Sequence, residues 1–203
     1  MKSTQKSFTL IEITVVLAII GILAAVILAN YRGGERQSAL LRSTHQLAQD
    51  LRRAEEMAIS SQKTPPGWDT EGEVFPRGGY GIYFKIDPEA PKGYRIILFA
   101  DCDGQGDYDD LPIARTCAEA DLGLGNSRDE KIESLTLEEG VVIKTLSPSS
   151  PDLSLSITFK PPDPEISISG GDIATITLSL KDAPTITRII TINKVGLIDT
   201  KKP

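Results

Sequence analysis

Five oxygen-bearing side chains fall at alternate positions in the run FADCDGQGDYDD: Asp101, Asp103, Gln105, Asp107 and Asp109. A hard cation such as calcium takes about six to eight oxygen ligands, and a short loop of alternating acids can supply them. Gly106 stands where such a loop has to turn. Two features oppose this reading. The twelfth position, where an EF-hand loop places a bidentate glutamate, is Pro112. The residues before the loop also read as a strand, not a helix. The competing reading is a solvated turn, since Asp and Gly favour tight backbone geometry. Both stand at this point; no cofactor is required, and calcium is the candidate.

Cys102 and Cys117 bracket the loop. A bridge between them would close a ring of about 15 residues and restrict the unfolded chain by roughly 3 kcal/mol. The alternative is two unpaired thiols. The single histidine, His45, has no second ligand beside it and reads as a surface residue. The chain shows no phosphate-binding loop, nucleophile elbow or histidine cluster, so the expectation is that it is not an enzyme. Lys and Arg number 22 against 28 Asp and Glu, a formal charge of −6. That balance argues against a generally basic nucleic-acid surface.

The remaining chemically loaded residue is Glu12, four positions into the apolar run FTLIEITVVLAIIGILAAVILA. As a helix, the run from Phe8 to Ala29 is about 33 Å long, against a hydrocarbon core of about 30 Å. Lys2 and Lys6 precede it without an acid, which keeps that end in the cytoplasm and sends the rest outside. A secretory signal peptide has an apolar stretch of about 7–15 residues and a small-residue cleavage site; this run is longer. An uncleaved single-pass anchor is the plain alternative. A charged residue deep in lipid costs about 2.5–3.5 kcal/mol on insertion scales and usually has a partner or a task. The bland reading of Glu12 is an acid that snorkels or favours the helix N-terminus.

Residues 7–23, SFTLIEITVVLAIIGIL, resemble the type IV prepilin N-terminal motif, and the likeness is dense across residues 6–29. The resemblance implies a leader, residues 1–7, cut by a prepilin peptidase between Ser7 and Phe8, and N-methylation of Phe8. It makes Glu12 the assembly residue, pairing with the new amine of a neighbouring subunit. Ser7 stands where the family usually has glycine, and Ala29 stands near where many major pilins carry a proline. Gly21, Ala25 and Ala29 lie four residues apart on one helical face, a spacing that lets helices pack closely in lipid; coincidence in an alanine-rich span would give the same pattern.

These features need elements to hold them. Residues 8–30 form the transmembrane and assembly segment. Tyr31 and Arg32 suit the membrane interface, and Gly33-Gly34 weaken the helix and could form a hinge. An amphipathic helix follows within 31–62: Leu40, Thr44, Leu47, Leu51, Ala54 and Ala58 recur at helical spacing. Arg42, Arg52, Arg53, Glu55 and Glu56 occupy the wet face. Thr64-Pro65-Pro66-Gly67 ends it. Residues 63–203 read as a β-rich head, with strands predicted at 80–86, 94–100, 131–137, 141–146, 153–159, 165–168, 174–180, 188–193 and 197–198. In 153–159, Leu153, Leu155, Ile157 and Phe159 alternate with Ser154, Ser156 and Thr158, which predicts one buried face and one wet face. The fold class is α+β: a long N-terminal helix, one half transmembrane and one half amphipathic, packed on a β-rich globular head.

The segments LRRAEEMAIS, FADCDGQGDYDD and TRIITINKVGLID are similar to pieces of the GspH/FimT group of minor pseudopilins. That likeness implies two sheets and a final strand entered through a glycine turn, at Gly196. The implied function is a structural subunit, a minor pilin or pseudopilin of a type IV pilus or type II secretion pseudopilus. The alternative is a tip-located subunit contacting DNA, cargo or a surface. Implied partners are other pilin subunits, the prepilin peptidase, inner-membrane assembly machinery and, before assembly, membrane lipid; nucleic acid is disfavoured. The implied location is the inner membrane, single-pass with the head outside, then a periplasmic pseudopilus or extracellular pilus.

Overall fold

A computed structural model describes residues 9–64, 75–108, 130–161 and 165–202, with backbone alone for 28–33. The helix α1 (Leu10–Ile59) leads into nine strands: β1 (Gly79–Ile86), β2 (Tyr94–Asp101), β3 (Lys131–Leu135), β4 (Val141–Ser147), β5 (Ser154–Lys160), β6 (Glu165–Ile168), β7 (Ile173–Leu180), β8 (Ala183–Asn193) and β9 (Ile198–Lys201). They form two antiparallel sheets, one of five strands in the order β3-β2-β1-β5-β6 and one of four in the order β4-β7-β8-β9. The class is α+β. The chain divides into two compact units, Met1–Ser38 and Ala39–Pro203.

In the first unit α1 is continuous through Gly33-Gly34, the pair that could form a hinge. A glycine costs about 1 kcal/mol relative to alanine in a helix interior. No proline precedes Pro65 to remove a hydrogen bond, so the ladder carries through two glycines without a break.

In the second unit the predicted stripe is the buried one. Leu40, Thr44, Leu47, Leu51, Ala54 and Ala58 are all buried, joined by Ser43, Ala48 and Met57. They share one core with Tyr80, Ile82 and Phe84 of β1, Ile96 and Leu98 of β2, Leu155, Ile157 and Phe159 of β5, and Ile176, Leu178, Ile190 and Ile192 of the second sheet. Full burial of a leucine or isoleucine contributes about 1.5–3 kcal/mol, so this stripe fixes the helix on the head. The helix ends in a Schellman turn: Ser61 N–H donates to Ala58 O (3.0 Å) and Gln62 N–H to Met57 O (3.0 Å). Ser61 takes the left-handed conformation, φ 46°. Tyr80 Oη then donates to Gln62 O at 2.8 Å, tying the turn to β1.

Strand β5 corrects the alternation argument. Ser154, Ser156 and Thr158 are buried along with Leu155, Ile157 and Phe159, and Leu153 is 46% exposed at φ 59°. Periodicity places a residue on a face; it does not say what covers that face. Here the segment after β2 returns across the outer side of the five-stranded sheet. Thr158 Oγ1 donates to Gly106 O at 2.8 Å. The Tyr108 ring lies 5.0 Å from that of Tyr83 and 5.5 Å from that of Phe99, and Ile97, Phe99 and Tyr108 make a second buried cluster. Phe99 lies across the strands from Gly81, where a Cβ would stand 2.6 Å from the Ile157 carbonyl oxygen of β5 and 2.7 Å from the Phe99 ring. Gly81→Ala should press on the β5 backbone and on Phe99 and lower stability by about 1–3 kcal/mol, read as a shift in the denaturation midpoint; an unchanged midpoint would show that neither contact constrains this position.

Candidate functional site

Two groups of residues carry chemistry, one at the start of α1 and one after β2. At the first, Thr9 caps the helix. Glu12 N–H points to both Thr9 O (3.1 Å) and Thr9 Oγ1 (3.4 Å), an N-cap arrangement. Glu12 is the acid of the first turn, where the exposed N–H groups favour negative charge. From Leu10 to Ile27 every side chain is exposed, and the segment is long and apolar enough to cross a membrane. Around Gly21 there is open space, and Ala25 is exposed, so the face they share is accessible. Ser7 and Phe8 lie outside the described residues, as does the side chain of Ala29.

The second group is the acidic loop. Asp101 ends β2 and is fully buried. Its carboxylate folds the loop around itself: Oδ1 accepts from Gly104 N–H (2.7 Å) and Oδ2 from Gly106 N–H (2.8 Å). Both glycines have positive φ, 81° and 84°, a conformation that strains other residues. Gly78 N–H donates to Asp101 O at 2.8 Å, and a Cβ on Gly78 would fall on the Asp101 carboxylate. Asp103 Oδ1 accepts from Gln105 N–H at 3.0 Å.

A third carboxylate enters from outside the run. Glu130, buried just before β3, accepts from Cys102 N–H at 2.9 Å, and its own carbonyl receives Ala100 N–H at 3.0 Å. Oxygens of Asp101, Asp103 and Glu130 lie within 4.8 Å of one another. This differs from the alternating set read from the sequence. Gln105 and Asp107 are exposed, Asp107 is not among the converging acids, and Asp109 lies outside the described residues. Alternation along an irregular loop does not put side chains on one side; the hydrogen bonds to Asp101 set their directions instead. Nothing in the spacing marks Glu130, which joins only through β2–β3 pairing. The chemistry of three carboxylate groups suits a hard, oxygen-seeking cation. Cys102 is buried and disulfide-bonded; the other cysteine of the chain, Cys117, lies outside the described residues. His45 is exposed.

Ion pairs and hydrogen bonds hold the loop's support to the helix. Arg42 grips Glu138 through two bonds, Nε–Oε1 at 2.6 Å and Nη2–Oε2 at 2.7 Å, and holds the Glu138 carboxyl below its ordinary range. Ser43 Oγ accepts from Glu138 N–H (3.0 Å) and Tyr94 Oη from Leu137 N–H (3.0 Å). Arg53 pairs with Glu133 of β3 at 3.0 Å.

Burial pushes the Asp101 carboxyl up to about 6; the Gly104 and Gly106 N–H groups oppose this, and Asp103 adds to it. A folded-state pKa above the unfolded one means the contribution to stability is full below about pH 4 and is lost as pH rises through 6. In chelator, stability should therefore fall between pH 4 and pH 7 by on the order of 2 kcal/mol more in the wild type than in Asp101→Asn. Denaturation of the full chain in detergent reads this; parallel pH profiles for the two proteins would refute it.

Residues 2–28 match the prokaryotic N-terminal methylation motif. The chain is 39% identical over 83 residues to the type IV major fimbrial protein FimA of Dichelobacter nodosus, an alignment covering 39% of this chain and 53% of that protein. It thus spans about half the length of that relative. No solved structure matches it. The chain is thus similar to a type IV fimbrial protein and carries the N-terminal methylation motif at its start.

Proposed function

We propose that the chain is a structural subunit, a minor pilin or pseudopilin, that polymerises through its N-terminal helix in a type IV pilus or a type II secretion pseudopilus. The observation that carries this is the span Leu10–Ile27, apolar and exposed on every side, with one acid in its first turn. Such a surface is stable in lipid or against copies of itself, and not in water. Lys2 and Lys6 hold the leader in the cytoplasm, so the head enters the periplasm. Prepilin peptidase cuts between Ser7 and Phe8, where serine keeps the small residue that the cut needs, and Phe8 is N-methylated. The subunit waits in the inner membrane, single-pass, until the assembly machinery extracts it. The new amine of Phe8 in one subunit pairs with Glu12 of the next, which relieves two charges in a medium of low dielectric and sets the axial step. Gly21, Ala25 and Ala29 let the helices close up. A tip-located role in binding cargo or a surface is compatible with the same helix; loss of the leader's two lysines makes the mature chain still more acidic, which disfavours DNA.

Glu12→Ala should insert in the membrane with an unchanged head and lower the yield of sheared filaments by about tenfold or more, since an uncompensated buried charge costs about 3–5 kcal/mol. Filament yields equal to wild type would defeat the pairing.

A second reading concerns the loop, and the convergence of Asp101, Asp103 and Glu130 favours it. We infer that calcium binds these carboxylates and stabilises the turn over the outer face of the sheet. Binding at the millimolar level typical of extracellular sites would lower the Asp101 pKa and remove its pH penalty. Titration calorimetry with millimolar calcium on the wild type and Glu130→Gln is the measurement. Heat from the wild type that the variant lacks is expected; no heat from either would exclude calcium.

A further inference from the structure

A cleft opens on the outer face of β2, beside the buried cluster of Ile97, Phe99 and Tyr108. Arg95, Ile97 and Phe99 follow one another on that face, and β3 sets Ser134 opposite Ile97 and Lys131 opposite Phe99. Leu135, the last residue of β3, pairs with Ile96, so β2 runs on past its partner through Arg95 and Tyr94. The β1–β2 turn closes the far side. The cavity has a volume of about 500 Å³, within the range of about 300–1,000 Å³ typical of small-ligand sites. Ile97 and Tyr108 form its apolar floor, with Ala90 and Pro91 on the side of the turn. Among the described residues three cations line it, Lys92, Arg95 and Lys131, against one acid, Glu89. The whole chain has 22 basic residues against 28 acidic ones, so the local sign is the reverse of the net charge.

The turn that walls the cleft is held by its own hydrogen bonds. Asp87 N–H donates to Gly93 O (3.1 Å), Ala90 N–H to Asp87 O (3.0 Å) and Gly93 N–H to Ala90 O (2.9 Å). Asp87 Oδ1 accepts from Glu89 N–H (3.1 Å), and Oδ2 pairs with Arg95 Nε (2.8 Å). Even with Asp87 counted, the cations keep a surplus of one. We propose that this cleft binds a small organic anion, one carboxylate on a flat apolar body. The body lies against Ile97 and the Tyr108 ring, and the carboxylate faces the rim of Lys92, Arg95 and Lys131. An apolar floor with a few convergent polar groups is the usual anatomy of a small-ligand site, and hydrogen bonds to a charged group are roughly twice as strong as neutral ones. A wall fixed in advance spares the ligand the cost of ordering it. A metal ion is the poorer occupant, because Glu89 is the one acid among the described lining residues. An acidic segment of another protein would meet the same cations, but it would leave the apolar floor unfilled. The cleft and its ligand do not depend on the filament reading of the N-terminal helix.

The test is calorimetric titration of the full chain in a zwitterionic detergent with naphthoate as the probe and naphthylmethanol as its neutral analogue. Naphthoate should bind one site per chain with a Kd on the order of 1 mM, as the size of the probe allows. The neutral analogue should bind about tenfold more weakly, and so should naphthoate to Lys92→Glu combined with Lys131→Glu. Ser134→Trp, an exposed position on the wall, keeps every charge and fills the cleft; it should abolish saturable binding with an unchanged thermal midpoint. Equal affinity for the acid and the alcohol, heat that never saturates because the probe only enters micelles, or wild-type affinity in Ser134→Trp would each overturn the site. Binding of hexaglutamate without binding of naphthoate would also overturn it, and would give these cations to a protein partner.

Discussion

The structure depends on one helix being solvated in two ways. From Leu10 to Ile27 no side chain of α1 is buried; from Ala39 to Ala58 one stripe is. The second half explains why the head folds at all. Its stripe enters the same apolar cluster as both sheets, and without it the inner faces of β1, β2 and β5 would lose the layer that covers them. A sheet needs its apolar face buried against something, and the chain supplies that cover before any strand appears in the sequence. Among the described residues the first half has no such cover, and an apolar surface of that length suits lipid or another apolar surface. That asymmetry is what the N-terminal methylation motif adds to an otherwise self-contained head.

Most of this was legible before the structure, because helical spacing and strand alternation report burial directly. The stripe from Leu40 to Ala58 was read residue for residue. The strands fell close to their predicted places, β6 at its predicted limits and β8 starting earlier, at Ala183. What was not legible depends on non-local pairing. The polar side of β5 looks wet in the sequence because Ser154, Ser156 and Thr158 alternate with apolar residues. It is dry because a segment far earlier in the chain crosses it, Gly106 standing 52 residues before Thr158. Glu130 joins the acidic loop for the same kind of reason. The glycine pair at 33 and 34, read as a weak point that could form a hinge, lies inside a continuous helix, and a helix extended on both sides absorbs a cost of about 1 kcal/mol per glycine.

The acidic loop is better understood as a fold device than as an isolated string of acids. Asp101 holds the backbone of Gly104 and Gly106; Gly106 O then receives Thr158 and Tyr108 drops between Tyr83 and Phe99. A buried carboxylate thus positions an aromatic anchor that dries the outer sheet. Its cost is visible in the raised pKa of Asp101: two backbone donors do not fully replace the water it has lost.

The sheets themselves are poorly suited to polymerise edge to edge. Unpaired strand edges invite pairing, and proteins blunt them with short strands, bulges and lysines. Here β6 and β9 are four residues long. The β2–β3 pair shifts register between Leu98 and Phe99, and β4 shifts between Ile143 and Thr145. At that second bulge Lys144 turns back, and its Nζ donates to Pro184 O at 3.0 Å. All four edges are therefore broken or brief. A head whose strand edges resist pairing leaves any contact with another protein to side chains and to the apolar helix. The same guarding keeps heads from pairing through their strands.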